Sequence, residues 1–190
     1  MNALFVAAKE VCDFMSAQHW QFCIIGGLAV QRWGEPRLTQ DADLTLLTGF
    51  GNEEFYLDLL LAHFSPRRQD AREFALANRV LLLAAKNGAP VDIALGALPY
   101  EEELIAHATP FAFTKAIVLN TCSADDLFVL KAFAARPQDW IDTQGIVVRQ
   151  GKRLDHDYIL ARLRDLSEAV YRPEILVAAR RVLEGKPWQK

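Results

Sequence analysis

Apolar residues recur at helical spacing between positions 3 and 18, where Leu4, Ala7, Ala8, Val11, Phe14 and Met15 form one stripe and predict a first helix. "FCII" at 22–25 is a short apolar run stopped by Gly26 and Gly27, as a buried strand ending in a turn would be. "LAVQRW" at 28–33 predicts a helical turn or two before Gly34 and Pro36. "DADLTLL" at 41–47 alternates polar and apolar side chains, which predicts a strand with one face exposed. "NEEFYLDLLLAHF" at 52–64 is amphipathic with acids in its first turn and predicts a helix. "RVLLLAA" at 79–85 and "PVDIAL" at 90–95 predict two strands joined by the tight turn "KNGA". "EEE" at 101–103 predicts the start of a helix, and "FAFTKAIVLN" at 111–120 one or two short strands.

The pattern changes at Ser123. "SADDLFVLKAFAARP" opens with a capping serine and an acidic first turn, then carries apolar residues at helical spacing. Helical periodicity returns at 137–149, 155–168 and 172–184. The expected fold is α+β: a mixed sheet flanked by helices over residues 1–120, followed by a helical C-terminal region, 121–190, packed on the same core.

Composition narrows the classes. With 52% apolar and 24% charged residues in a chain of 190, a substantial core can be buried and disorder is not expected. No apolar run approaches the roughly 18–20 residues that span a membrane; "VLLLAA" is bounded by Arg79 and Lys86. The N-terminal stretch lacks a basic leader, so no secretory signal is expected there. Cys12, Cys23 and Cys122 show no CxxC spacing, which argues against a disulfide framework or zinc site and suits a reducing cytoplasm. His19, His63, His107 and His156 are scattered and suggest no metal cluster. The net charge of -3 does not mark a nucleic-acid binder, although basic residues outnumber acidic ones from residue 143 onward. That imbalance fits either a polyanion contact or the solvated faces of amphipathic helices.

Candidate chemistry lies where the core pattern is broken. A glycine pair between a strand and a helix lets the backbone approach a ligand and aim N–H groups at it, beside the positive end of the helix dipole. Asp41 and Asp43 stand two residues apart, so on an extended chain both carboxylates project from one face. Asp92 interrupts an apolar strand and faces away from Val91 and Ile93. If that strand lies beside "DADLTLL", three carboxylates meet, and their oxygens suit Mg²⁺. A salt bridge from Asp92 to Arg79 or Lys86 is the competing reading. Arg67 and Arg68 read as a solvated loop or as a phosphate or acceptor contact. Trp20, Trp33, Trp140 and Trp188 can stack a base or fill the core. Asp139 and Asp142, one helical turn apart, suit capping or salt bridges in the last helices.

The order strand, Gly26-Gly27, helix, "RLTQDADL" and later "VDI" resembles the nucleotidyltransferase superfamily. The R-x-T-x-D-x-D spelling of Arg37, Thr39, Asp41 and Asp43, with the later "SADDLFVLKAFAARPQDWID", is similar to the AbiEii-type toxin and minimal nucleotidyltransferase-like branch. The resemblance spans roughly residues 20 to 145. It implies a nucleotidyltransferase-like sheet and transfer of a nucleoside monophosphate from an NTP to an acceptor, with release of pyrophosphate. Asp41, Asp43 and Asp92 would be the catalytic and Mg²⁺-binding residues, with two ions. Gly26, Gly27, Arg37, Thr39 and Lys131 would bind the nucleotide, Lys131 being otherwise an exposed helix lysine. The implied acceptor is a tRNA end or a protein side chain, with a cognate antitoxin as partner. A small molecule such as an aminoglycoside is the alternative acceptor, and a non-catalytic nucleotide-binding relic the second alternative. Many family members carry Ser at the second position of the glycine pair; here Gly27 leaves only backbone for that contact.

Overall fold

Residues 2–189 are described by a computed structural model. By their internal contacts they fall into two compact units. One comprises the chain up to Leu28 together with Leu38–Cys122; the other joins Ala29–Arg37 to the chain from Ser123 onward.

The first unit follows the hydrophobic pattern closely. Helix α1 (Ala3–Ala17) begins at Asn2, whose side chain accepts a hydrogen bond from the Leu4 N–H at 3.0 Å and so satisfies one of the open donors of the first turn. Then come β1 (Phe22–Ile24), α2 (Gly26–Trp33), which continues into the second unit, β2 (Ala42–Leu47), α3 (Glu53–His63), β3 (Ser65–Pro66) and α4 (Ala71–Asn78). The remaining elements of this unit are β4 (Val80–Ala84), β5 (Pro90–Gly96), α5 (Pro99–Ala106), β6 (Thr109–Thr114) and β7 (Ile117–Thr121). They build a mixed seven-stranded sheet in the order β3-β4-β5-β2-β1-β7-β6. β2 pairs with β5 in parallel and with β1 antiparallel, and β1 pairs with β7 in parallel. The expected "KNGA" turn joins β4 to β5: Gly88 takes φ +78°, Ala85 donates to the Ala89 carbonyl at 3.0 Å, and the Asn87 side chain accepts from the Ala89 N–H at 3.0 Å.

The core occupies one face of this sheet. Ala42, Leu44 and Leu46 of β2, Val91, Ile93 and Leu95 of β5, and Leu81 and Leu83 of β4 are all buried, together with Ala7, Ala8, Val11 and Met15 of α1 and Leu57 and Leu60 of α3. Strand alternation therefore sends Asp43, Asp92 and Leu82 to the opposite face. Three sequence expectations are corrected here. The second helix starts at the glycine pair rather than at Leu28, and β2 starts at Ala42, so Asp41 stands just outside it. β2 does not turn a simple exposed face to solvent, since Thr45 is only 3% exposed. The pair β3 and α4 has no counterpart in the sequence reading, because a two-residue strand containing Pro66 shows no periodicity.

The second unit contains α6 (Ala124–Ala134), α7 (Pro137–Gln150), α8 (His156–Ala169) and α9 (Glu174–Leu183). The Ser123 hydroxyl accepts from the Asp126 N–H at 3.0 Å and caps α6. Ala135 in the left-handed region ends α6, and Pro137 opens α7 at a position where its missing N–H costs nothing. Gly145 of α7 lets Glu35 approach: a Cβ there would lie 3.0 Å from the Glu35 backbone nitrogen.

Candidate functional site

Register decides the site. β2 and β5 run parallel with Asp43 directly opposite Asp92, so both carboxylates leave the sheet on the face away from the core. Asp41, two residues before Asp43, joins them. One carboxylate oxygen from each of the three lies within 4.8 Å of the other two, and all three residues are half-buried. Without a cation such an arrangement is repulsive.

The glycine pair seats itself on this cluster. Gly26 takes φ +58°, and a Cβ there would stand 2.0 Å from Asp43 Oδ2, so any other residue would both strain the backbone and push the carboxylate aside. The Gly27 N–H, in the first turn of α2, donates to Asp43 Oδ2 at 3.3 Å. Gly27 is glycine for a different reason. A Cβ at 27 would lie 2.3 Å from the Thr39 hydroxyl and 2.6 Å from Thr39 Cβ. The Thr39 hydroxyl also stands 3.3 Å from the Asp41 carboxylate, to which it donates. Thr39 thus fills the space that a serine side chain at 27 would need. Gly27→Ser is expected to cost about 1–3 kcal/mol through overpacking. Adding Thr39→Gly should recover part of that loss, and a thermal-melt double-mutant cycle with no coupling between 27 and 39 would contradict the contact.

Asp92 carries a second partner. Arg67 Nη2 pairs with Asp92 Oδ1; the two side chains are 30% and 25% exposed. Of the competitors expected from sequence, Arg79 instead bonds Glu53 Oε1 at 2.5 Å and the Leu95 carbonyl at 2.9 Å, and Lys86 faces Glu10 at 3.6 Å. Burial pushes the Asp92 carboxyl up to about 6; Arg67 opposes that, and Asp43 and Asp41 add to it. A carboxyl raised in the folded state contributes full stability below its unfolded value, and that contribution is lost as pH rises through the folded value. The cation-free protein should therefore be less stable than an Asp92→Asn variant by about 2 kcal/mol at pH 7, with the gap opening between about pH 4 and pH 6. Chemical denaturation at a series of pH values measures this; equal pH profiles for the two proteins would refute it.

The remaining expected nucleotide contacts, Arg37 and Lys131, lie in the second unit. Arg37 makes a two-pronged ion pair with Asp142, Nε to Oδ1 at 2.8 Å and Nη2 to Oδ2 at 2.9 Å. Lys131 is not the exposed helix lysine of the alternative reading: it is 6% exposed, and its ammonium lies 2.9 Å from both Asp139 Oδ1 and Asp142 Oδ2. Arg136 bonds the outer side of Asp139 at 2.5 Å, and Gln138 donates to Asp142 at 3.1 Å. Burial works against both carboxylates, but Arg136 and Lys131 hold Asp139 below the usual range, and Arg37 and Lys131 do the same for Asp142. Of the tryptophans, Trp140 is buried and Trp20 packs edge-on against Tyr56 at 4.8 Å, both as structural residues.

No family model and no curated protein matches the sequence. Solved structures do. The chain is similar to an antigenic nucleotidyltransferase-like protein from Paracoccidioides brasiliensis, with a TM-score of 0.53 and 13% identity, covering 97% of this chain and 93% of that one. It is also similar to the lincosamide antibiotic adenylyltransferase LnuA with lincomycin bound (TM-score 0.48, 10% identity, 73% of this chain and 92% of that one). The antibiotic-resistance factor ANT(2'')-Ia is a third (TM-score 0.49, 15% identity, 95% and 92%). The first likeness establishes a nucleotidyltransferase-like fold, and at this identity it establishes the fold alone.

Proposed function

We propose that this chain is a divalent-cation-dependent nucleotidyltransferase that moves a nucleoside monophosphate from an NTP to an acceptor hydroxyl and releases pyrophosphate. The observation that carries the reading is the convergence of Asp41, Asp43 and Asp92 beside the Gly26-Gly27 turn. The donor set fits Mg²⁺: every candidate ligand is a carboxylate oxygen, and the oxygens lie close enough to share a hard cation with substrate phosphates. Asp41 and Asp43 would hold the ion that carries the nucleotide, and Asp92 would share a second. When bound, the ions neutralise phosphate charge and align the attacking and leaving oxygens.

The chain's own groups do the rest. The first turn of α2, with Gly26 and Gly27 seated against Asp43 and Thr39, would offer the triphosphate the positive end of the helix. Thr39 orients the Asp41 carboxylate by its hydroxyl. Asp92 would accept the proton of the acceptor hydroxyl as a carboxylate. Attack on the α-phosphorus forms the new P–O bond as the bond to the pyrophosphate oxygen breaks, a reaction governed mainly by positioning and charge neutralisation. In this reading Arg37 and Lys131 support the second unit through their carboxylate partners.

The acceptor follows from the resemblance of "RLTQDADL" to the toxin-type branch: a tRNA end or a protein side chain, with a cognate antitoxin to restrain the activity. The net charge of -3 favours a second reading, a small cationic acceptor such as an aminoglycoside. One assay separates them. Each labelled NTP is incubated with the protein, Mg²⁺, total tRNA, cell protein and an aminoglycoside panel, and the pool that gains label is identified. Label on tRNA or protein supports the first acceptor class and label on a drug the second. Absence of pyrophosphate from every mixture, with Asp41→Ala binding nucleotide as well as the unmodified chain, would leave only a nucleotide-binding relic.

A further inference from the structure

The line of facing residues that joins Asp43 to Asp92 does not stop at β5. Asp92 faces Leu82 on β4, and the Leu82 carbonyl accepts a hydrogen bond from the Arg67 N–H at 3.0 Å, one residue beyond β3. Arg67, Leu82, Asp92 and Asp43 therefore form one row across the sheet, on the face opposite the core. Two strand spacings, about 10 Å, separate the backbone of Arg67 from that of Asp92. The arginine side chain reaches past half-buried Leu82 to the Asp92 carboxylate.

This pair is unlike that of the neighbouring arginine. Arg68 bonds Asp70 at 2.8 Å, a local and exposed contact two residues along. Arg67 instead spans 25 residues of sequence to place a permanent positive charge on one member of a mutually repelling triad. Its side chain is partly exposed, so it can swing into water without leaving a buried charge behind.

We propose that Arg67 is the resident counter-cation of the triad, displaced from Asp92 by a divalent ion when the site loads. The proposal rests on the reading of the triad as a metal site. It makes Arg67 a positioning residue that competes with the bare ion for Asp92. Cation binding is then weak in the absence of nucleotide and becomes effective when triphosphate oxygens complete the ion's shell.

The test is Mn²⁺ binding to the nucleotide-free 190-residue chain, followed by calorimetry and by the EPR signal of free Mn²⁺, with thermal unfolding as a check on folding. Arg67→Gln should bind Mn²⁺ about two- to fivefold more tightly than the unmodified chain, the gain expected from deleting a partly exposed competing ion pair. Arg67→Lys, which keeps the charge, should stay near the unmodified value, and Arg68→Gln, which removes a neighbouring charge, should change affinity less than twofold. In an Asp92→Asn background the gain from Arg67→Gln should disappear, because the competition runs through Asp92. Unchanged or weaker Mn²⁺ binding by Arg67→Gln overturns the proposal, as does an equal gain in Arg68→Gln. If the unmodified chain and Asp43→Asn bind Mn²⁺ alike, the metal reading of the triad fails and this inference falls with it.

Discussion

Asp43→Asn is expected to slow nucleotidyl transfer by about a thousandfold while leaving the protein folded. The residue sits at the centre of the site: its Oδ2 accepts from the Gly27 N–H, its backbone position faces Asp92, and its carboxylate closes the triad. The amide keeps the shape but removes one negative charge, which weakens cation binding and leaves phosphate charge uncompensated as the transition state forms. Losing one group that stabilises developing charge typically costs about a hundred- to thousandfold, and a cation ligand acts on both the attacking and the leaving oxygen. Stability should hold or rise slightly, because a like charge leaves a crowded cluster. Single-turnover pyrophosphate release alongside thermal unfolding gives both quantities. A variant that turns over within tenfold of the unmodified chain would remove the triad from the chemistry.

Lys131→Met should instead strike the fold. The ammonium is held between Asp139 and Asp142, which are 1% and 3% exposed, and its loss leaves each carboxylate with one arginine as its cationic partner, Asp142 keeping its Gln138 bond as well. Breaking a buried ion pair on one side costs about 3–5 kcal/mol; with Arg37 and Arg136 still in place the lower end is expected. For a chain of this size, about 3 kcal/mol corresponds to a fall in Tm of about 6–12 °C. The pH dependence carries a sign. Both carboxyls are held below their ordinary range, so their ionised partners contribute stability at neutral pH that is lost as pH falls through the depressed values. Removing Lys131 should flatten that acid limb, since less stability remains to be lost. A Lys131→Met protein that melts like the unmodified chain but binds NTP poorly would assign the lysine to the phosphates instead.

The two predictions differ because the sequence treats their residues differently. Asp43 and Asp92 each oppose the apolar face of their own strand, so the side of the sheet they take is legible one strand at a time, while Asp41 joins them from just before β2. The helix at Ser123 and its acidic first turn are equally local, being set by a cap and by 3.6-residue spacing. Arg67 is not legible in this way. "SPRR" has no periodicity, β3 is two residues long, and the partner of Arg67 lies 25 positions away, whereas the nearer candidates Arg79 and Lys86 are taken by Glu53 and Glu10. Lys131 shows the same limit. It follows an apolar helical run and reads as a surface or ligand-binding lysine until Asp139 and Asp142 of the next helix are brought against it.

From the sequence alone follow the α+β class, the order of its longer elements, the diglycine turn and the placing of Asp43 and Asp92 on the non-core face of their strands, because caps, turns and alternation are interactions between near neighbours. Only the tertiary structure decided that Asp43 stands opposite Asp92, that Thr39 takes the room beside Gly27, and that Arg67 rather than Arg79 answers the charge. Those are choices among residues far apart in the chain. Strand register and the packing of a shared core make them, and a pattern read within one segment carries no information about which distant segment will lie beside it.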